Sequence, residues 1–325
     1  MAVEQTHLRP WLTPEQQVAQ LKEKGVSFLH MDESEAEDYL RHHNSYFRVR
    51  SYRANFSKYV GGEKDGCYVG LDFGMLVDLA VIDMKLRGVF LGLTLDVEHY
   101  AKIKLLNALE AAHEDGYEVV RAFLDKPRYA AVDGNAVLSE ISRGKGSPYT
   151  AGLIERHPGG DYAVWEFIEL ISFGRFIHFY KFCAERLVIK EMLDEFYLLQ
   201  SVKSLRNACA HNNCVLNDMK AGSALHEPRW AVLRALSKIG IGKNARKTKL
   251  SNERMQHFAT TLYLHQKMVP DTVRNHRAHE LFDLASRMER NSCWYQADGV
   301  VASGFAFIEA MIFGWYGEER RTNGC

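Results

Sequence analysis

The chain is poor in the residues that interrupt helices or staple small folds. Seven prolines in 325 residues leave long windows unbroken, and Pro10, Pro14, Pro148, Pro158 and Pro228 stand beside loop or cap signals. Extended helical stretches follow. Six cysteines (Cys67, Cys183, Cys209, Cys214, Cys293 and Cys325) are scattered with no CxxC pair, and the opening MAVEQTHLRPWLTPEQQ carries no secretory apolar run. A disulfide framework is excluded, and a reduced, cytoplasmic setting is expected. Cys209, His211 and Cys214 form a three-member group, one ligand short of a closed structural zinc site, and no HExxH spacing occurs. No metal and no cofactor is expected. Charge lacks a dominant sign, with 41 Lys and Arg against 41 Asp and Glu, so any nucleic-acid binding must come from a local patch. The most apolar late run, VVASGFAFIEAMIFGWY over 300–316, is short for a membrane span and holds Glu309 near its middle. It reads as a buried helix, with no membrane partner.

Hydrophobic residues make up 46% and charged residues 25%, the balance of a globular chain with a sizeable core. Periodicity points to an all-α fold. Thr13-Pro14-Glu15-Gln16 is an N-cap, a first-turn proline and a third-position glutamine, predicting a helix to Gly25. Asp32 or Ser34 caps a second helix through Glu35 to His43, whereas 46–60 looks irregular and aromatic. Core-facing spacing predicts helices over about 72–91, 96–115 and 191–211, and a buried helix pair over 162–184 with its corner at Gly174. Weak periodicity and Gly134, Gly144, Gly146 and Pro148 mark 116–158 as a loop-rich insertion or lid. KIGIGKNARKTKL (238–250) reads as a solvated loop, and two or three helices should cover 251–317. The expected organisation is an N-terminal lobe over 1–65, a helical bundle over 66–220 and a C-terminal helical extension over 221–325.

One segment carries chemistry. SLRNACAHNNCVLN (204–217) sets Arg206, Asn207 and His211 on a helix whose opposite face is apolar. Asn207 and His211 lie one turn apart, and Arg206 sits about 140° from His211, within reach of a long side chain. An imidazole transfers protons near neutral pH, and a guanidinium offers a permanent planar donor fork. Cleavage of RNA by its own 2′-hydroxyl needs that combination: a base, an acid for the departing oxygen, and cations at the phosphorane. Spacing alone is a weak signal, because Arg274-Asn275-His276-Arg277-Ala278-His279 repeats the RNxxAH form at a polar helix start.

The run RNACAHNNCVLN resembles the RNxxAHxxRLxN signature of AbiD/AbiF-like abortive infection proteins, a branch of the HEPN superfamily. Three further segments match in order. LTPEQQVAQLKEKGVSF looks like the family's opening helix, YLRHHNSYFRVRSYRANF resembles its YFRLxSYxxxF element, and WEFIELISFGRFIHFY resembles its WExIExLSFGxLxxxY helix. The resemblance covers about 11–217. It implies a HEPN-like helical bundle and a metal-independent endoribonuclease acting as an antiphage effector or a toxin restrained by an antitoxin. It also implies a homodimer in which two motif helices pool their side chains. Arg206 would then polarise the scissile phosphate, His211 would act as acid or base, and Asn207 would orient the pair. Where relatives have a second histidine and an arginine, this chain has Asn212, Asn213 and Cys214. The loss of basic residues keeps a second reading open, a non-catalytic RNA-binding protein complexed with a noncoding RNA or an antitoxin.

Arg48, Arg50, Tyr52 and Arg53 interleave cations with rings, as RNA-binding surfaces do, although the same residues also suit packing of the lobe against the bundle. Lys243, Arg246, Lys247 and Lys249 offer a basic RNA-facing loop or a plain solvated face. Trp165 reads as core. Glu166 reads as an anchor for Arg206 or His211.

Overall fold

A computed structural model describes residues 10–126, 130–131, 134–295 and 299–317; Cys325 lies outside them. Fifteen α-helices, three short 3-10 helices and one hairpin of two-residue strands account for the regular structure of the described residues, an all-α bundle. Helix α1 (Pro14–Glu23) begins with the capping box of Thr13 and Gln16 and stops where Gly25 takes a left-handed φ of +76°. Asp32 caps α2 (Glu33–His42) by accepting from Glu35 N at 2.8 Å. The stretch expected to be irregular instead forms α3 (Tyr46–Ser51), capped by Ser45, and a 3-10 turn over Tyr52–Asn55. Burial of Val49 and Tyr52 against the bundle supplies the drive that the local pattern does not show.

The bundle is organised around α4 (Phe73–Ala111), one 39-residue helix where two were expected. The residues between the two expected helices continue the helix and are absorbed by packing. Gly92 gives room to the Arg277 guanidinium, which an added Cβ would meet at 2.7 Å, and the Thr94 hydroxyl donates to Leu91 O at 2.8 Å. Helix α5 (Gly116–Leu124), the hairpin β1 (Ala130–Ala131) with β2 (Gly134–Asn135), α6 (Ala136–Ser142) and α7 (Ala151–Glu155) fill the weak region. Phe123 of α5 docks there, its ring 5.0 Å from Phe179 and 6.0 Å from Phe167.

Helices α8 (Val164–Leu170) and α9 (Phe173–Arg186) form the buried pair, but the corner falls at Ile171–Ser172, because the Ser172 hydroxyl caps α9 and places Gly174 inside it. Trp165 is 57% exposed and meets Tyr117 edge-on, so it is a surface ring and not core. Helix α10 (Lys190–Ala210) packs on α4 and α9. Beyond it lie α11 (Trp230–Lys238), α12 (Lys243–Lys249), α13 (Glu253–Met268), α14 (Asp271–Glu289) and α15 (Gly299–Tyr316). The expected basic loop is thus partly helical, with Arg246 and Lys249 bonded to Ile241 O and Ser303 Oγ. Helix α15 is long and apolar enough to cross a membrane by length and composition; here its Phe305, Ile308, Met311 and Ile312 are buried against the bundle.

Candidate functional site

Helix α10 carries Arg206, Asn207 and His211, and its position is set by a stripe of Met192, Phe196, Leu199, Val202, Leu205 and Cys209, all buried. A wholly buried carboxylate reinforces it. Glu195 accepts from Tyr180 Oη at 2.5 Å, Lys104 Nζ at 2.8 Å and Lys267 Nζ at 2.7 Å, binding α10 to α9, α4 and α13. Three donors around one carboxylate offset the cost of removing it from water.

The helix ends in a Schellman motif. His211 is the C-cap, Asn212 takes φ +59°, Asn212 N donates to Cys209 O at 3.1 Å and Asn213 N to Ala208 O at 2.8 Å. Asparagine tolerates the left-handed region better than most residues with a Cβ. The departure at Asn212 thus has a conformational role.

Four side chains hold the loop that follows. Buried Asp83 accepts from Val215 N at 2.8 Å and Leu216 N at 2.7 Å, and it pairs with Arg87, which reaches Asn213 O at 3.4 Å. Arg48 of α3 donates to Asn212 O, and Asn55 bridges Leu216 O at 2.9 Å and Met219 N at 2.7 Å. The element YFRVRSYRANF therefore serves the motif through backbone groups, a function its side-chain types alone did not announce.

Against this fixed terminus, the His211 side chain is exposed and makes no hydrogen bond among the described residues. Arg206 is half-buried; its Nη1 donates to Asn207 Oδ1 at 3.2 Å, while its Nε is buried without a partner. The structure joins Arg206 to Asn207 and leaves His211 on the open side. Sequence reasoning missed Glu98 on α4. Burial raises its carboxyl, opposed by the charges of Lys102 and Arg206, and its Oε2 is buried without a partner. Its one signal was an acid next to the apolar stripe Leu93, Val97 and Ala101. Glu166, by contrast, accepts from Ala163 N at 3.3 Å and meets His157 Nε2 at 3.0 Å, so it anchors neither motif residue.

Arg48, Arg50, Tyr52 and Arg53 separate into two pairs. Arg48 is tied to Asn212 O, and Tyr52, with no exposed surface, has no ring face to give a base; burial beside Cys214 drives its hydroxyl far above the usual phenol range. Arg50 and Arg53 instead face a surface groove and lie over Tyr46 and Tyr68 at 5.7 and 5.5 Å. The second RNxxAH copy is taken up structurally. Arg274 donates to Gln266 O at 2.8 Å and pairs with Asp271, closing the turn into α14, while His279 is exposed. Arg277 grips Asp96 at 2.6 and 3.1 Å.

Among the described residues, no three His, Cys, Asp or Glu side chains gather as a metal site. Burial pushes the Cys209 thiol up to about 12, against the pull of Arg87. A family model described as Abi-like protein matches residues 38–217. No curated protein and no solved structure matches the chain.

Proposed function

This chain belongs to the Abi-like protein family, matched over residues 38–217, and from that premise we propose that it is a HEPN-type, AbiD/AbiF-like endoribonuclease of abortive infection. It would work in the cytoplasm as a homodimer, either as an antiphage effector or as a toxin checked by an antitoxin. The observation that carries the reading is an exposed imidazole, unpartnered among the described residues, at a helix terminus braced on several sides, five residues from a half-buried guanidinium oriented by an amide that lies one turn from the imidazole. Catalytic groups of this kind need fixed positions and open access to substrate.

Transesterification would proceed by attack of a ribose 2′-hydroxyl on its adjacent phosphorus. The O2′–P bond forms and the P–O5′ bond breaks, leaving a cyclic phosphate and a free 5′-hydroxyl. His211 removes the 2′ proton, and the partner subunit's His211 delivers a proton to the departing oxygen. Arg206 stabilises the charge that builds on the non-bridging oxygens, held by its bond to Asn207. One protomer supplies one imidazole, so two proton transfers call for two copies across a symmetry axis.

Expression with and without Arg206→Ala and His211→Ala tests this. Wild type should arrest growth and cut cellular RNA; each substitution should lower cleavage by about 10²–10⁴-fold, with unchanged circular dichroism and no effect of EDTA. RNA cut equally fast by the double variant would end the nuclease reading. The alternative, a non-catalytic RNA-binding protein complexed with a noncoding RNA or antitoxin, is favoured by the loop after His211, where Asn212, Asn213 and Cys214 stand in place of basic side chains.

A further inference from the structure

A groove of about 930 Å³ opens on the N-terminal lobe, between the start of α1, the α3 helix and the segment from Lys58 to Tyr68. Its size is that of an ordinary ligand site. Among the described residues, Lys24, Arg50, Arg53 and Lys58 line it, and no carboxylate does. None of these four cations forms an ion pair among the described residues, whereas Lys22 and Arg41, close by in sequence, are paired with Glu33 and Glu15. Arg53 and Lys58 lie over the same Tyr68 ring, at 5.5 and 4.9 Å from its centre. Two like charges on one ring repel, and an anion between them would relieve that repulsion.

The second observation is aromatic. Trp11 is 95% exposed and Phe47 is 80% exposed, both on the groove wall, and Tyr46 is held beside them by its hydroxyl bond to Gln20 Oε1 at 2.7 Å. Open ring faces interleaved with unneutralised cations suit a ligand with alternating flat bases and phosphates. A duplex hides its base faces, and a phosphopeptide satisfies the cations but not the rings.

We propose that this groove binds single-stranded nucleic acid, with bases stacked on Trp11 and Phe47 and phosphates paired with Arg50, Arg53 and Lys58. The site stands independently of the cleavage chemistry. It is also linked to the motif, since Arg48, two residues and about 3 Å of helix rise before Arg50, bonds the carbonyl of Asn212 next to His211. A strand seated in the groove is thereby placed one short helix away from the motif terminus.

Full-length protein carrying His211→Ala, to spare the probe, is titrated into a fluorescein-labelled oligouridine 12-mer and followed by anisotropy at several salt concentrations. Binding should also quench Trp11. Arg50→Ala with Arg53→Ala should weaken binding at least tenfold and flatten the salt slope by roughly 0.7 for each phosphate left without its cation. Trp11→Ala should cost about 5–100-fold by removing a stacking face, and Arg50→Lys with Arg53→Lys should recover much of the affinity. An oligothymidine arm separates a groove that ignores the sugar from one that requires RNA, and binding in either form supports the site. Wild-type affinity in the Arg50→Ala/Arg53→Ala variant, preference for a duplex, or displacement of the oligouridine by lower concentrations of an acidic phosphopeptide would overturn it. If wild type binds the probe at the groove but cuts nothing, the nuclease reading falls and the groove remains.

Discussion

Asn212 shows how one residue can look like a loss and act as a fit. Its position was legible in the sequence only as a missing histidine, because a left-handed φ cannot be seen in composition. Replacing it with Val puts a β-branched side chain at φ +59°, which should cost about 1–2 kcal/mol, while Asn212→Gly should leave stability within a few tenths of a kcal/mol. Chemical denaturation of the three proteins checks the order, and equal midpoints for Val and Gly would show that the Schellman turn is not what fixes this residue. Arg206, Asn207 and His211 could be chosen from spacing and resemblance. That Arg48 and Asn55 clasp the motif loop could not, since both act on backbone groups more than 160 positions away in the chain.

At the scale of elements, α4 holds the bundle through buried polar groups as much as through its apolar surface. Asp78 binds Arg287 and Tyr295, Asp83 binds the motif loop, and Asp96 binds Arg277, so three levels along the helix are each committed to a different partner. Such commitments explain why periodicity predicted two helices where there is one: an apolar stripe punctuated by acids and glycines reads as a break until the partners are known. Caps at Thr13 and Asp32 were readable because their donors lie three residues away. The helical turns of α3 and α12 were not, since neither shows a full apolar period. Two glycines of α4 separate the causes. At Gly88 an added Cβ meets nothing within 4 Å, so Gly88→Ala should stabilise by about 1 kcal/mol from helix propensity. At Gly92 the Cβ would meet Arg277 Cζ at 2.8 Å while Asp96 holds that guanidinium in place, so Gly92→Ala should lower the Tm despite the same propensity gain. A Gly92→Ala protein as stable as Gly88→Ala would mean that the Arg277–Asp96 grip is loose.

Across the whole molecule, one knot of buried and half-buried side chains joins four helices from distant parts of the chain. Asp96 of α4 meets Arg277 of α14 and His265 of α13, and His265 Nδ1 lies 2.9 Å from the Tyr316 hydroxyl of α15. A neutral imidazole satisfies both neighbours, donating from Nε2 to Asp96 and accepting at Nδ1. Burial lowers the His265 pKa despite the pull of Asp96. Burial would raise the Asp96 carboxyl, but the bonds from His265 and Arg277 outweigh it and bring the value down to about 2. Both shifts have the same sign for stability, because in each case the unfolded chain takes up a proton that the native one refuses. Stability should begin to fall as the pH drops below about 6.5, where unfolded histidine charges, and fall again between about 4 and 2 by roughly 2 kcal/mol for Asp96. Denaturation midpoints measured from pH 8 to pH 3 should show the upper step in wild type and lose it in His265→Gln. An unchanged upper step in that variant would assign it to another histidine.

The bracing around Asn212–Leu216 leaves the segment after His211 little freedom to reshape, since Asp83, Arg87, Arg48 and Asn55 hold its backbone from three separate elements. An inhibitor gains nothing by trying to bend such a terminus out of line. On the proposed mechanism, control over it would come from outside, by masking the imidazole or by keeping two copies from meeting.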